Sequence, residues 1–173
     1  MIEEKRINWY VAYTRVNQEL FIKQKLDALG IENFLAQEEQ VRETALGRKT
    51  VRVLLIHGMI FIHTDKATSF SLINDHSLNI VYLKDIKGRR SLIVPDKQME
   101  DFMFLLDFSP GGVEILNKDL KRGDRVRVIK GPLLGLKGEL VRLRGHKRVV
   151  IRLDGVASIA TSYIPGSYLE RID

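Results

Sequence analysis

Gly123-Asp124-Arg125-Val126-Arg127-Val128-Ile129-Lys130-Gly131-Pro132-Leu133-Leu134-Gly135-Leu136-Lys137-Gly138-Glu139-Leu140 sets the architecture of the last third of the chain. Arginine alternates with valine from Arg125 to Val128, a period of two that turns the valines to one face of a strand. Gly131-Pro132 marks a turn, and Gly138 stands where a tight bend leaves no room for a side chain. After Gly145-His146-Lys147-Arg148, alternation resumes from Val149 to Leu153, and Tyr163-Ile164 and Tyr168 to Ile172 close the set. Five short strands in about 55 residues, with glycine at most corners, predict a small closed all-β barrel over 120–173.

Upstream, Ser109-Pro110-Gly111-Gly112 breaks every periodic pattern and predicts a linker over 108–119. Charge changes there too. Residues 1–107 carry 15 basic and 15 acidic side chains, so the whole net charge of +6 sits beyond them. Within the neutral part, Arg42 to Arg52 and Lys84 to Arg90 are locally positive. Residues 1–107 read as an α+β domain, with helices on a largely antiparallel sheet. Trp9 to Thr14 is strand-like, and Arg15 to Leu29 is helical, with Ile22, Leu26 and Leu29 on one stripe. Ile31 to Ala36 makes a second strand, and 37–50 a polar hairpin with its tip at Gly47. Two strand-like runs flank His57-Gly58. Asp65 caps a short helix through Ile73, Asn79 to Leu83 is a strand, and Pro95 opens a last helix over 96–106.

Chemistry finds little support. Cysteine is absent, which excludes disulfides, thiolate zinc sites and cysteine nucleophiles. His57, His63, His76 and His146 show no metal-ligand spacing. Gly47-Arg48-Lys49-Thr50 lacks the upstream glycine of a phosphate-binding loop. No GxSxG or GxGxxG occurs. Neither catalysis nor a metal or other cofactor is expected. No apolar run approaches membrane-spanning length, and the mixed-charge start is unlike a signal peptide, so a cytoplasmic monomer with no membrane contact is expected.

The Gly123–Leu140 stretch, with G-D-x-V-x-V followed by G-P-x-x-G, resembles the KOW motif of ribosomal proteins and transcription elongation factors. The opening Trp-Tyr-Val strand, the helix ending at glycine, the charged hairpin and the glycine-interrupted apolar strand resemble the NusG N-terminal domain. Together they resemble a NusG-family elongation factor over roughly residues 8–172. Ser91 to Glu100 and Thr161-Ser162-Tyr163-Ile164-Pro165 are similar to a specialised branch, the operon-specific antiterminators of capsular polysaccharide operons in Bacteroides-type bacteria.

The resemblance implies that the N-terminal domain grips the clamp helices of RNA polymerase. Ile56-His57-Gly58-Met59 stands at the family's F-P-G-Y, so Ile56 and Met59 would make apolar contacts, flanked by Tyr13 and Tyr82. A second polymerase contact falls near Phe70-Ser71-Leu72-Ile73, with Ser71 as its polar member. Some paralogs read the non-template DNA strand with basic residues beside the first helix, here Arg15, Lys23 and Lys25. The barrel loop would dock a small-subunit ribosomal protein or the terminator Rho through Pro132, Leu133 and Leu136. Arg144 and neighbouring cations would steer that partner. Two alternatives remain open at this level: a housekeeping NusG working at all genes, and a ribosome-associated or RNA-binding KOW protein.

Overall fold

The computed structural model describes residues 5–109, 112–116 and 122–173. The chain divides into two compact units, Met1–Asp96 and Lys97–Asp173. This division falls ahead of the last helix, whereas the sequence pattern placed it after that helix.

In the first unit β1 (Ile7–Tyr13) is followed by α1 (Glu19–Ala28), β2 (Glu32–Phe34), β3 (Gln37–Thr44), β4 (Gly47–Leu54), β5 (Met59–Asp65), α2 (Lys66–Asn74), β6 (Val81–Tyr82) and β7 (Ile93–Val94). The main sheet runs β2-β5-β1-β6, and β7 also pairs with β1. All its pairings are antiparallel. β3 and β4 form a separate two-stranded hairpin.

Because strand side chains alternate, one face of β1 carries Tyr10 and Ala12 and the other Trp9, Val11 and Tyr13. The Tyr10 face packs with Ile60, Ile62 and Tyr82 against Ile22 and Leu26 of α1 and Leu72 of α2. Ile22, Leu26, Ile60, Ile62 and Leu72 are each under 2 % exposed. Burying one such side chain is worth about 1.5–3 kcal/mol. This cluster is what anchors both helices to the sheet.

α1 starts later than the pattern of apolar residues indicates. Asn17 adopts a left-handed φ of 70°, which no α-helix can contain, so Arg15 and Val16 remain in the preceding turn. At the other end Leu29 caps the helix and is exposed. α2 begins as expected. The Asp65 side chain accepts a hydrogen bond from the Thr68 backbone N–H at 2.9 Å and another from its hydroxyl at 2.8 Å.

The second unit contains nearly all of α3 (Asp96–Phe108), then β8 (Val113–Leu116), β9 (Asp124–Val128), β10 (Lys137–Leu143), β11 (His146–Leu153), β12 (Ala157–Thr161) and β13 (Leu169–Arg171). Its all-β part is a six-stranded antiparallel sheet ordered β13-β9-β10-β11-β12-β8. Two expectations are corrected. Residues 113–116 are a strand paired with β12 rather than linker, because Val113 and Ile115 alternate with Glu114 opposite Thr161, Ile159 and Ala160. Tyr163-Ile164 is not a strand, and among the described residues no ladder joins β8 to β13, so the closed five-stranded barrel becomes a six-stranded sheet. Pro110, Gly111 and 117–119 of the expected linker lie outside the described residues.

Gly138 leaves no room for a side chain, as its position in the motif suggests, but it lies within β10 rather than at a bend. A Cβ there would stand 2.7 Å from both the Val150 carbonyl oxygen and Val149 Cγ1, closer than atoms can pack. β10 and β11 can approach as they do only if this residue has no side chain. No described helix is long and apolar enough to cross a membrane.

Candidate functional site

Strand register decides which of the expected contact residues can share a surface. Tyr13 stands opposite Met59 of β5 on one side and Val81 of β6 on the other. Directly opposed residues point to the same face, so Tyr13, Met59 and Val81 form a row on the face away from α1 and α2. Tyr13 is 46 % exposed and Val81 65 %. Ile56, in the turn before β5, is half-buried.

Two members of the expected apolar contact are corrected. Met59 is buried, although it stands directly opposite the exposed Tyr13 on the same face of the sheet. Tyr82 pairs with Ala12 and therefore faces the helices. It packs edge-on against Tyr10, with ring centroids 5.8 Å apart, and its hydroxyl donates to the Ser69 carbonyl at 2.8 Å. Burial pushes its phenol well above the usual range. Tyr13 and Tyr82 thus lie on opposite faces of one sheet, and Val81 is the residue beside Tyr13. Ser71, on α2, is half-buried.

The turn carrying Ile56 is held by a residue that sequence patterning does not single out. Glu19, the first residue of α1, is 2 % exposed, and its Oε1 accepts from the Gly58 N–H at 2.7 Å. The Gly58 carbonyl in turn accepts from the Thr14 N–H at 2.9 Å. Gly58 has φ +70°, and a Cβ would meet the Thr14 carbonyl oxygen at 3.1 Å. The end of β1, the start of α1 and the turn before β5 are thereby tied at one point. In the sequence Glu19 looks like any first-turn acidic residue favoured by the helix dipole, and only the fold shows that it is buried.

The three basic residues near α1 do not form one patch. Lys23 and Lys25 are two positions apart, about 200° around the helix. Lys23 Nζ contacts Asp27 Oδ1 at 3.5 Å and donates to Asn33 Oδ1 at 3.1 Å, so its charge is engaged locally. Lys25 lies over the Phe21 ring, 5.4 Å from its centroid. Arg15 is exposed in the β1–α1 turn and lines a groove of about 350 Å³ with Phe21 and Asn79.

In the second unit the loop after β9 also needs correction. Leu133 and Leu136 are 3 % and 2 % exposed, whereas Leu134 between them is 62 % exposed. Two successive tight turns produce this pattern. The Leu134 N–H donates to the Gly131 carbonyl and the Leu136 N–H to the Leu133 carbonyl, at 3.1 and 3.0 Å. Residues three apart around such turns share a side, here the inner one. Pro132 is exposed. Arg144 is exposed but pairs with Glu114 at 3.2 Å, and the same carboxylate takes Arg148 at 2.6 Å. Among the described residues no three His, Asp or Glu side chains converge where a metal ion could sit.

Comparison with known proteins adds the family. The family model described as "Transcription termination factor nusG" matches residues 7–103, more than half of the chain. No curated protein sequence matches significantly. Among solved structures, Thermotoga maritima NusG aligns over 97 % of this chain and 98 % of its own, with 18 % identity and a TM-score of 0.47. A chain of the MjSpt4:Spt5 complex aligns over 95 % of this chain and 97 % of its own, with 11 % identity and a TM-score of 0.30. The matched segment 7–103 runs from β1 into α3 and includes Tyr13, Ile56, Gly58 and Val81. The chain belongs to the NusG family of transcription factors.

Proposed function

We propose that this protein is a transcription elongation regulator of the antiterminating kind, working by attachment rather than by covalent chemistry. The first unit binds the RNA polymerase clamp helices through Tyr13 and Val81, with Ile56 at the rim. The observation that carries this reading is the exposed apolar pair on β1 and β6, inside the segment matched by the family model. Exposed tyrosine and valine side by side on a sheet face lose water on docking and supply binding energy. Preference for the closed form of the clamp would shift polymerase away from pausing.

The second unit, read as a KOW barrel, offers Pro132 and Leu134 to a small-subunit ribosomal protein or to Rho. Its support is the G-P turn, the close approach at Gly138 and the exposed leucine between two buried ones. Arg15 and Lys25, with the groove beside Phe21, are the basic residues placed to meet a non-template DNA strand. The resemblance of residues 91–100 makes a capsular polysaccharide-type operon the target. The protein is read as a cytoplasmic monomer that needs no cofactor.

The test is a pull-down from native lysate with full-length Tyr13→Asp and Leu134→Asp, together with pausing assays on purified polymerase. Tyr13→Asp should lose polymerase and leave pausing unchanged; Leu134→Asp should keep polymerase and lose the second partner. Retention of polymerase by a Tyr13→Asp, Val81→Asp double variant refutes the assigned surface. Gene deletion followed by transcript sequencing separates one affected operon from many, and so a specialised from a housekeeping role.

A further inference from the structure

The locally positive run Lys84 to Arg90 is exposed to solvent along most of its length. It connects β6 to β7 as a hairpin, closed by the Lys84–Ser91 bridge and by the Asp85 N–H donating to the Arg90 carbonyl at 2.9 Å. The hairpin borders a cavity of about 910 Å³ in the first unit. Lys84, Arg89 and Arg90 line it from this side, Lys5 and Arg6 from the approach to β1, and Lys66 from the start of α2.

Of the other twenty described basic side chains, nine are paired. Lys23, Arg48, Arg52, Lys97, Arg127, Arg144, Arg148, Arg152 and Arg171 each face a carboxylate within ion-pairing distance. Among the described residues, none of the six cavity cations does. The one carboxylate in the lining, Asp65, is engaged by Thr68 and also feels the charge of Lys5. Six positive charges around a concavity with a single negative one create a strong local field for a polyanion. The lining also includes Phe70, 49 % exposed, and Ile93, 46 % exposed. The volume lies within the range of about 300–1,000 Å³ that encloses small ligands.

We propose that this cavity is a nucleotide site, taking phosphates among the six cations and a base against Phe70. An exposed aromatic ring beside clustered cations matches the two halves of a nucleotide, which has an anionic backbone and a flat π-face. An acidic peptide would use the cations and leave the ring without a role. The inference stands on the cavity and not on the polymerase reading. The same chemistry is available from a free nucleoside triphosphate or from a single strand, and the experiment distinguishes the two.

Full-length protein is titrated into a fluorescently labelled single-stranded oligothymidine, with anisotropy as the readout. With three phosphates held, raising salt from 50 to 200 mM should weaken binding roughly 20-fold. Arg89→Glu with Arg90→Glu should weaken it at least tenfold, and Phe70→Ala about fivefold or more. The same change of charge at Arg48→Glu with Arg52→Glu, in the β3–β4 hairpin, should leave affinity within twofold. Displacement by ATP assigns the site to a free nucleotide; displacement only by unlabelled strand assigns it to nucleic acid, and either supports the proposal. Absence of binding at 50 mM salt overturns it. So do equal losses in the two double variants, no effect of Phe70→Ala, or equally effective displacement by polyglutamate.

Discussion

Glu19 offers the sharpest test of how the first unit holds its exposed turn. Its carboxylate is buried and receives the Gly58 N–H at 2.7 Å, while Gly58 itself is buried against Thr14. A hydrogen bond to a charged acceptor is worth about 1.5–3 kcal/mol, and a buried N–H left without a partner adds to the loss. Glu19→Ala removes the acceptor and should cost about 3 kcal/mol. Glu19→Gln keeps an oxygen in place and gives up only the charge, about half the strength of the bond, so it should cost about 1 kcal/mol. The assay is urea unfolding of the full chain followed by tryptophan fluorescence. Trp9 is the protein's single tryptophan and lies in β1, so the signal comes from a residue of the first unit. With a slope near 1.5 kcal/mol per molar, the midpoint should fall by about 2 M for Ala and about 0.7 M for Gln. Hydrogen exchange at the Gly58 amide should quicken in the Ala variant. Equal midpoints for Ala and Gln, or a loss below about 0.5 kcal/mol for Ala, would refute the tie between α1 and the turn.

Three further outcomes are expected. Tyr82→Phe removes the hydroxyl bonded to Ser69 and should cost about 1 kcal/mol without weakening polymerase binding, since Tyr82 faces the helices. Because burial holds the native phenol protonated while the unfolded one ionises near 10.0, wild-type stability should fall as pH rises above 10, and less steeply in Tyr82→Phe. Gly138→Ala forces a Cβ onto the Val150 carbonyl oxygen and should destabilise the second unit by about 1–3 kcal/mol, read as faster exchange of β10 and β11 amides. Gly166→Ala, which meets only the mobile end of Lys147, should be close to neutral in the same measurement. Asp65→Ala should cost about 1 kcal/mol through loss of the α2 cap. The Thr68 bonds hold the Asp65 carboxyl below its ordinary 3.8, so the gap to wild type should persist above pH 4 and close as pH falls further.

Much of the architecture is legible locally. The Trp-Tyr-Val run of β1, the Asp65 cap of α2, the hairpin turning at Gly47 and the Arg-Val alternation of β9 all follow from rules spanning fewer than about ten residues. The collision that excludes a side chain at Gly138 is likewise implied by its place in the motif. The candidate site is less legible. Tyr13 and Tyr82 are both aromatic strand residues, and nothing local shows that a one-residue offset in pairing sends them to opposite faces. Leu133, Leu134 and Leu136 are chemically alike, yet the two turns bury the outer pair and expose the middle one. β8 was hidden because its strand pattern is four residues long and sits beside a Pro-Gly-Gly break.

The chain's own order of residues therefore determined its element types, its caps and turns, and its membership of a family, because these depend on periodicity and on backbone geometry at single positions. Tertiary structure decided which faces meet water and which charges meet one another. Glu19 reaches Gly58 across 39 positions, and Lys5, Lys66 and Arg90 line one cavity from three separate segments. Such juxtapositions come from strand register and helix packing. No local pattern encodes them, because the interacting groups are distant along the chain and become neighbours only when the sheet is assembled.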